Sequence, residues 1–294
     1  MPRWLVLVNR AAGRRSGDPR AIADLVQSLG IDGTVTAPAS REELTERIVA
    51  AARSGVTHFV AGGGDGTLNA VVNALLPLNL GFRPTVGVLP LGTGGDLLRT
   101  FGIPQDVEGA ARHLLSDETY PIDVALISGE WGDRYYVNVA QAGVGAAAAE
   151  TAPKISRRLG PLRYPLAFAV RLPRFPKATV KLTTERRTVE SEALAIIFAN
   201  GQFFAGGWNV APKATLVDGV IDIQVINALK REAPALVPKI IKGTHLDDRR
   251  VIRLRAAEFT LEIDQKWPIE ADGDLVGNTP MSGRVVPAAI SLKI

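Results

Sequence analysis

The sequence predicts an α/β domain followed by a β-sandwich domain, and three observations carry that expectation. Residues 1 to about 121 alternate short apolar runs with segments of helical spacing. From about Tyr120 the apolar stretches become β-branched and strand-like, with Gly, Pro and Asp in the connectors. With 294 residues, 46% of them hydrophobic and 22% charged, the chain is long enough to bury one large core or two ordinary ones. Strand–helix alternation indicates a mainly parallel sheet, and a succession of strands indicates antiparallel packing.

Taken in order, Leu5–Val8 reads as a buried first strand, and Pro19–Leu29 places Ile22, Leu25, Val26 and Leu29 at helical spacing. A short strand is expected around Thr34–Thr36. Ser40 with Glu43 makes a capping-box start for the next helix, and Gly55 stands where that helix stops. HFVAGGG and TVGVLPLG read as strands, TLNAVVNALL and Asp106–Leu115 as helices. In the second half DVALI, YYVNVA, ATVKLTT, ALAIIFAN, VIDIQVI and RVIRLRAAEFTLEI read as strands of a sandwich. The domain boundary is expected at Tyr120–Pro121, giving domains 1–121 and 122–285. The final strand, 286–294, suits either layer.

Composition excludes several chemistries. The chain has no cysteine, so disulfides and thiolate metal sites are ruled out, and a reducing cytoplasm is the expected setting. Its three histidines, His58, His113 and His245, are scattered, which argues against a histidine zinc cluster or a Ser-His-Asp triad. The apolar stretch at the start, Trp4–Val8, is too short for a signal peptide, and no run approaches the roughly 20 apolar residues of a membrane span. The net charge of +4 says little until its distribution is considered.

The strongest local signal is GGGDGTLN, Gly62–Asn69, between a strand and a helix. Clustered glycines let backbone approach a ligand closely, and the helix start aims N–H groups at the same place, which suits phosphate. The pattern is neither a dinucleotide fingerprint nor a Walker loop, since Thr67 stands where a third glycine would and no Lys follows. A tight turn with an Asp cap is the plain alternative. PLGTGGD, Pro90–Asp96, repeats the arrangement after the next strand, and two such loops at the ends of sheet strands favour a nucleotide crevice.

GGDGTLN followed by LPLGTGGD closely resembles the diacylglycerol and sphingosine kinase-type lipid kinase family, and the resemblance runs nearly the full chain. Asn9 and Gly13 look like its N-terminal NPxxG-type turn, with Arg10 in place of Pro. NVAQAGVG, Asn138–Gly145, resembles its Gly-rich strand. Phe198–Ile223 resembles its long NG…GG…P-A…DG-D signature, and Glu270–Asp274 sits where the family has D-G-E. Gly95 replaces the Asn of GTGND, and Asp274 replaces the Glu that the family uses as base.

The resemblance implies a three-layer α/β nucleotide-binding domain of the NAD kinase type, followed by a β-sandwich that carries substrate and metal. It implies ATP contacts from Asn9, Gly13, Thr36, Gly63, Gly64, Asp65, Gly66, Thr67, Leu68, Asn69, Thr93 and Asp96. It implies Mg2+ at Asp218 with the carbonyls of Thr215 and Val220, and Asp274 as base; Asp65 and Asp96 would hold waters on the metal. Phosphoryl transfer needs such a set: a phosphate cradle, a divalent cation and a base. Read without the resemblance, Asp218-Gly219 is a turn between strands, and Asp272 and Asp274 are hairpin acids.

Thr151–Thr184 holds no acid, but has Lys154, Arg157, Arg158, Arg163, Arg171, Arg174, Lys177 and Lys181 interleaved with apolar residues. Peripheral contact of residues 154–181 with an anionic membrane surface, at the inner face of the membrane, is the expectation. A core-facing helix with a solvated basic face is the alternative; nucleic-acid binding has no motif to support it. The expected activity is ATP-dependent, Mg2+-dependent phosphorylation of a lipid hydroxyl. The rivals are a kinase with a soluble acceptor, as in NAD kinases, and a non-catalytic lipid- or nucleotide-binding homologue.

Overall fold

The computed structural model describes residues 3–10, 18–92 and 95–294. The chain forms two compact units. The first comprises Met1–Val124, Ala205–Gly207 and Pro287–Ile294. Its elements are β1 (Trp4–Val8), α1 (Pro19–Ser28), β2 (Gly33–Thr36), α2 (Arg41–Arg53), β3 (His58–Gly63), α3 (Asp65–Leu75), β4 (Thr85–Pro90), α4 (Asp96–Thr100), α5 (Val107–His113) and the start of β5 (Thr119–Gly129). The strands run in the order β2-β1-β3-β4, all parallel. Ser291 and Leu292, near the chain's end, extend this sheet by pairing in parallel with Thr85 and Val86 of β4. Val6, Leu7, Val8, Phe59, Val60 and Ala61 are fully buried, which explains why β1 and β3 read as continuous apolar runs rather than alternating ones. Helix starts follow local chemistry: Asp18, Ser40 and Asp106 each accept a backbone N–H in the first turn of α1, α2 and α5.

The second unit comprises Ala125–Phe204 and Trp208–Val286. After the end of β5 come β6 (Gly132–Tyr136), β7 (Val139–Gly143), α6 (Val144–Thr151), α7 (Arg163–Arg171), β8 (Ala178–Thr184), β9 (Thr188–Ala193), β10 (Ala195–Ala199), the short pair β11 (Phe203–Phe204) and β12 (Trp208–Asn209), β13 (Ile221–Ile226), α8 (Ala233–Lys242), β14 (Val251–Ala256), β15 (Glu258–Ile263), β16 (Pro268–Ala271), β17 (Asp274–Asn278) and β18 (Met281–Lys293). One antiparallel sheet runs β14-β13-β10-β7-β16-β17. A second antiparallel layer joins β9, β8, β15 and the first part of β18. Phe198 of β10 stacks on Phe259 of β15 with ring centroids 4.3 Å apart, so the two layers close on one core.

Helices α6, α7 and α8 interrupt what reads in sequence as a nearly unbroken set of strands. The alanine run of α6 follows Gly143, whose φ of 106° turns the chain out of β7. A side chain there would also meet the Leu194 carbonyl oxygen at 2.5 Å, so only glycine fits. The apolar residues of α8, Ala233, Leu236, Val237 and Ile240, repeat at helical spacing, but Pro234 and Pro238 break the run to the eye. Here packing decides over local propensity.

Candidate functional site

In the first unit the two Gly-rich loops are joined through their backbones. Leu91 and Gly92 donate N–H to the Gly63 carbonyl at 3.1 and 3.2 Å. A Cβ on Gly92 would stand 2.9 Å from the Gly64 nitrogen, so this approach requires glycine. Asn9 donates its amide to the Thr67 hydroxyl at 3.1 Å, which brings the N-terminal turn to the same place. Gly64 precedes α3 with no side chain capping it, and a Cβ on Gly66 would meet nothing within 4 Å. Leu68 and Asn69 face inward: Leu68 joins the core and Asn69 accepts from the Asn73 amide at 3.1 Å. Leu68 also lines a small pocket with Gly63, Gly64, Asp65 and Gly95. Thr36 ends β2, half-buried. Gly13 and Thr93 lie outside the described residues.

Asp65 and Asp96 tie the loops further. The Asp65 carboxylate accepts the Asp96 backbone N–H at 3.0 Å. The Asp96 carboxylate accepts from Gly206 N–H at 3.0 Å and from Arg99 at 3.2 Å. Burial pushes both carboxyls above their ordinary range, against the N–H groups that favour the ionised forms. Gly206 belongs to the AGG stretch of the long C-terminal signature, so three separated motifs converge in one unit.

In the second unit the turn between β16 and β17 holds three acids with different surroundings. Asp272 accepts the backbone N–H groups of Val137, Asn138 and Val139 at 2.6, 3.0 and 3.0 Å. It is a structural anchor for the strand entering β7. Asp274 accepts from Arg134 at 2.5 Å and keeps part of its surface. Glu270 is fully buried, bonded to the Gln141 amide at 2.7 Å and to the Gly273 N–H.

Asp218 lies in the exposed loop before β13. It accepts from Val220 N–H at 3.2 Å and pairs with Arg255. Arg255 Nε also approaches Oδ2 of the buried Asp222 at 3.6 Å, an ion pair too long for a hydrogen bond. Burial raises the Asp222 pKa. Thr215 is exposed and Val220 half-buried, in the same loop. Among the described residues no three acidic or histidine side chains gather as a ready metal cluster.

The second unit also contains an apolar cavity of about 90 Å³, partly open to solvent. Phe168, Ile197, Phe204, Val210, Leu236 and Ile240 supply apolar wall, and Gln141 with Tyr164 supplies a polar one. Tyr164 and Phe168 come from α7, so that helix forms one side of the cavity. Its other side is apolar as well: Leu166 and Val170, with Leu162 just before the helix, are 43%, 50% and 64% exposed. Exposed Lys154, Arg158 and Arg174 lie before and after this stripe in the chain, and Glu150 pairs with Arg171 at 3.3 Å. Among the described residues no helix is long and apolar enough to cross a membrane.

Comparison with known proteins follows the same division. The diacylglycerol kinase catalytic domain family matches residues 3–127. The family described as YegS C-terminal NAD kinase beta sandwich-like domain matches residues 138–294, more than half of the chain. The chain belongs to the diacylglycerol kinase and YegS-type lipid kinase family. Diacylglycerol kinase of Bacillus subtilis (strain 168) is 28% identical over 286 residues, covering 95% of this chain and 92% of that protein. A Yersinia pestis (strain Pestoides F) protein named "Probable lipid kinase YegS-like" is 28% identical over 302 residues, covering 100% and 97%. A solved diacylglycerol kinase structure from Bacillus anthracis str. Sterne shares the fold with a TM-score of 0.73 at 20% identity, covering 99% of this chain and 96% of that one. A second structure from the same organism, described as a "putative diacylglycerol kinase", gives a TM-score of 0.81 at 23% identity, covering 99% and 94%. The fold class and lipid kinase membership expected from sequence are therefore correct.

Sequence reading missed Glu270, Gln141, Tyr164, Arg134 and Arg255. Glu270 carried a usable signal: it stands between Ile269 and Ala271 in a short, wholly buried stretch next to Trp267, where an acid is unusual. The others become visible only through pairing across strands.

Proposed function

We propose that the chain transfers the γ-phosphoryl group of ATP to the hydroxyl of a lipid. The observation that carries this reading is the cavity of the second unit, whose lining is mostly apolar with the Gln141 amide and the Tyr164 hydroxyl among it, a chemistry that suits an acyl or alkyl chain bearing a hydroxyl. The Gly-rich loops of the first unit are the proposed ATP site, with Asn9, Thr36, Gly63–Asn69 and Asp96 around it and Gly13 and Thr93 expected to join them. Backbone N–H groups at the uncapped start of α3 suit the phosphates.

The donors near Asp218 fit Mg2+. A carboxylate with the carbonyls of Thr215 and Val220 is an all-oxygen, low-charge set of the kind magnesium takes, and buried Asp222, which shares Arg255 with Asp218, adds a further hard donor nearby. Bound there, the ion would supply charge neutralisation for the phosphates. Asp274 is the proposed base: it takes the proton of the lipid hydroxyl as that oxygen bonds to the γ-phosphorus and the bond to the ADP oxygen breaks. Arg134 orients its carboxylate.

The outward stripe of α7 with its flanking cations suits the surface of an anionic membrane, from which a lipid would reach the cavity behind the same helix. The test is phosphate transfer from labelled ATP with Mg2+ to mixed micelles of diacylglycerol, phosphatidylglycerol or a sphingoid base, with NAD as the soluble acceptor. Label in a lipid product supports the reading. Label only in NAD, or no transfer at all, overturns it in favour of a soluble-acceptor kinase or a binding protein.

A further inference from the structure

Glu270 takes no part in the chemistry described so far, yet it stands at the middle of a buried hydrogen-bond chain. It sits opposite Gln141 across the β16–β7 pair. One carboxyl oxygen accepts the Gln141 amide at 2.7 Å, and the other accepts the Gly273 N–H. The Gln141 amide also donates to the Tyr164 hydroxyl at 3.1 Å, and that hydroxyl donates to the Gly145 carbonyl at 2.9 Å. The fit is close: a Cβ on Gly145 would stand 2.0 Å from the Gln141 side-chain oxygen. Gln141, Gly145 and Tyr164 line the apolar cavity, while Gly273 lies between Asp272 and Asp274. Glu270, fully buried, has no water to fall back on, so each of its bonds must be kept or exchanged for another.

We infer that Glu270 is a positioning residue that ties the polar wall of the lipid cavity to the turn carrying Asp274, and that its ionised form holds that turn in the productive place. The inference rests on reading Asp274 as the base. The geometry distinguishes the two forms of the carboxyl. Both oxygens accept N–H groups, which suits a carboxylate. A protonated acid must donate, and neither Gly273 nor the Gln141 amide nitrogen can accept. Protonation therefore turns the Gln141 amide so that its oxygen faces Glu270, which withdraws the N–H from Tyr164 and loosens the Gly273 anchor.

The surroundings set where this happens. Burial pushes the Glu270 pKa up to about 8; the Gln141 and Gly273 donors oppose it, and Asp272 and Asp274 reinforce it. Tyr164, raised by burial, stays neutral. Arg134 on β6 faces this group through its pair with Asp274. The acid of α6, which also packs on β16, is Glu150, and it pairs with Arg171 and Lys154.

The experiment is the pH–rate profile of lipid phosphorylation at saturating ATP and Mg2+. For the parent protein kcat should rise about tenfold between pH 7 and 9, as one ionisation through that range requires. Glu270→Gln cannot ionise, so its kcat should stay at the low level across that range, with the lipid KM changed less than kcat. Gln141→Met removes a donor that favours the carboxylate, so its limb should move to higher pH. A parent profile flat from pH 7 to 9, or a limb that persists in Glu270→Gln, overturns the inference. Should Glu270→Gln fail to fold, an unmoved limb in Gln141→Met overturns it equally. The Asp274 reading fails separately: an active Asp274→Asn that keeps the limb removes the base but leaves Glu270 titrating, and an inactive Asp274→Asn beside a flat parent profile does the reverse.

Discussion

The Asp65 carboxylate accepts the backbone N–H of Asp96 at 3.0 Å, so the acid of one Gly-rich loop holds the first helical residue after the other. An Asn at 65 keeps an acceptor for that bond and removes a buried charge. Because burial raises the Asp65 pKa, its contribution to stability is present below the unfolded value of about 4 and is lost as pH rises through the folded value. Asp65→Asn should therefore melt no lower than the parent at neutral pH, and should show its relative gain there rather than in acid. Its phosphotransfer rate should fall by about 10²-fold, if the carboxylate helps set the phosphates in place. A thermal melt at two pH values and a rate measurement separate the effects. Unimpaired transfer would reduce Asp65 to a loop fastener.

Gly66 offers a clean test of the phosphate cradle. Nothing in the protein lies within 4 Å of a Cβ at this position, and Gly66 is already helical within α3. Gly66→Val should fold normally, since Val is a better helix residue than Gly by a few tenths of a kcal/mol. The added methyls would stand where phosphate oxygens approach the helix start. Nucleotide binding by calorimetry should weaken at least about tenfold. Equal affinity would mean that the glycines serve the turn alone.

The first unit was legible in sequence because its signals are local. Runs such as Leu5–Val8 and loops such as Gly62–Asn69 state their own conformation, and caps such as Ser40 with Glu43 mark helix starts. The second unit was legible only as strands. Its order β14-β13-β10-β7-β16-β17 joins segments far apart in the chain, and no local pattern encodes that pairing. The same reason hid the Glu270–Gln141 contact, which spans 129 positions. Asp272 shows the converse: DG reads as an ordinary turn, yet its carboxylate gathers three backbone N–H groups from residues 137–139.

Asp218 pairs with Arg255, whose guanidinium also approaches Asp222. If Mg2+ binds at Asp218, the guanidinium and the ion compete for the same oxygens. Asp218→Asn should raise the Mg2+ concentration needed for half-maximal rate by about tenfold or more while leaving nucleotide affinity intact. Arg255→Gln should lower it. Titrations of rate against Mg2+ decide the matter, and curves that coincide with the parent's would remove this loop from the metal site.

Membrane contact is testable on α7 without touching the cavity side. Leu162→Ser with Leu166→Ser removes exposed apolar surface, and Arg158→Glu with Arg174→Glu reverses flanking charge. Each pair should weaken binding to vesicles rich in anionic lipid in a flotation assay. Each charge reversal near an anionic surface removes about 1 kcal/mol of attraction or more, and its effect should shrink as salt rises. The serine pair should be far less sensitive to salt. Parent-like flotation by both would leave the stripe as solvated surface.

The last test concerns the base. Asp274 is one methylene shorter than the Glu that the family pattern leads one to expect, a difference of about 1.5 Å in reach against a required proton-transfer distance of about 2.6–3.2 Å. The structure adds Arg134, which holds the Asp274 carboxylate at 2.5 Å. Arg134 thus fixes the direction in which the shorter side chain points, and a longer one would have to abandon or overshoot that partner. Asp274→Asn should cut kcat by about 10²–10⁴-fold, the usual contribution of a positioned base. Asp274→Glu should not exceed the parent, and Arg134→Gln should lower kcat with little change in ATP affinity. If Asp274→Glu instead raises the rate severalfold, the turn has not adjusted to the shorter acid and the parent is a slow enzyme. Full activity in Asp274→Asn would shift the search elsewhere, and Asp272 would not be the replacement: its oxygens already accept Val137, Asn138 and Val139 N–H groups, so taking up a proton would break the anchor that enters β7. The remaining acceptor for the hydroxyl proton would be an oxygen of the transferred phosphoryl group itself.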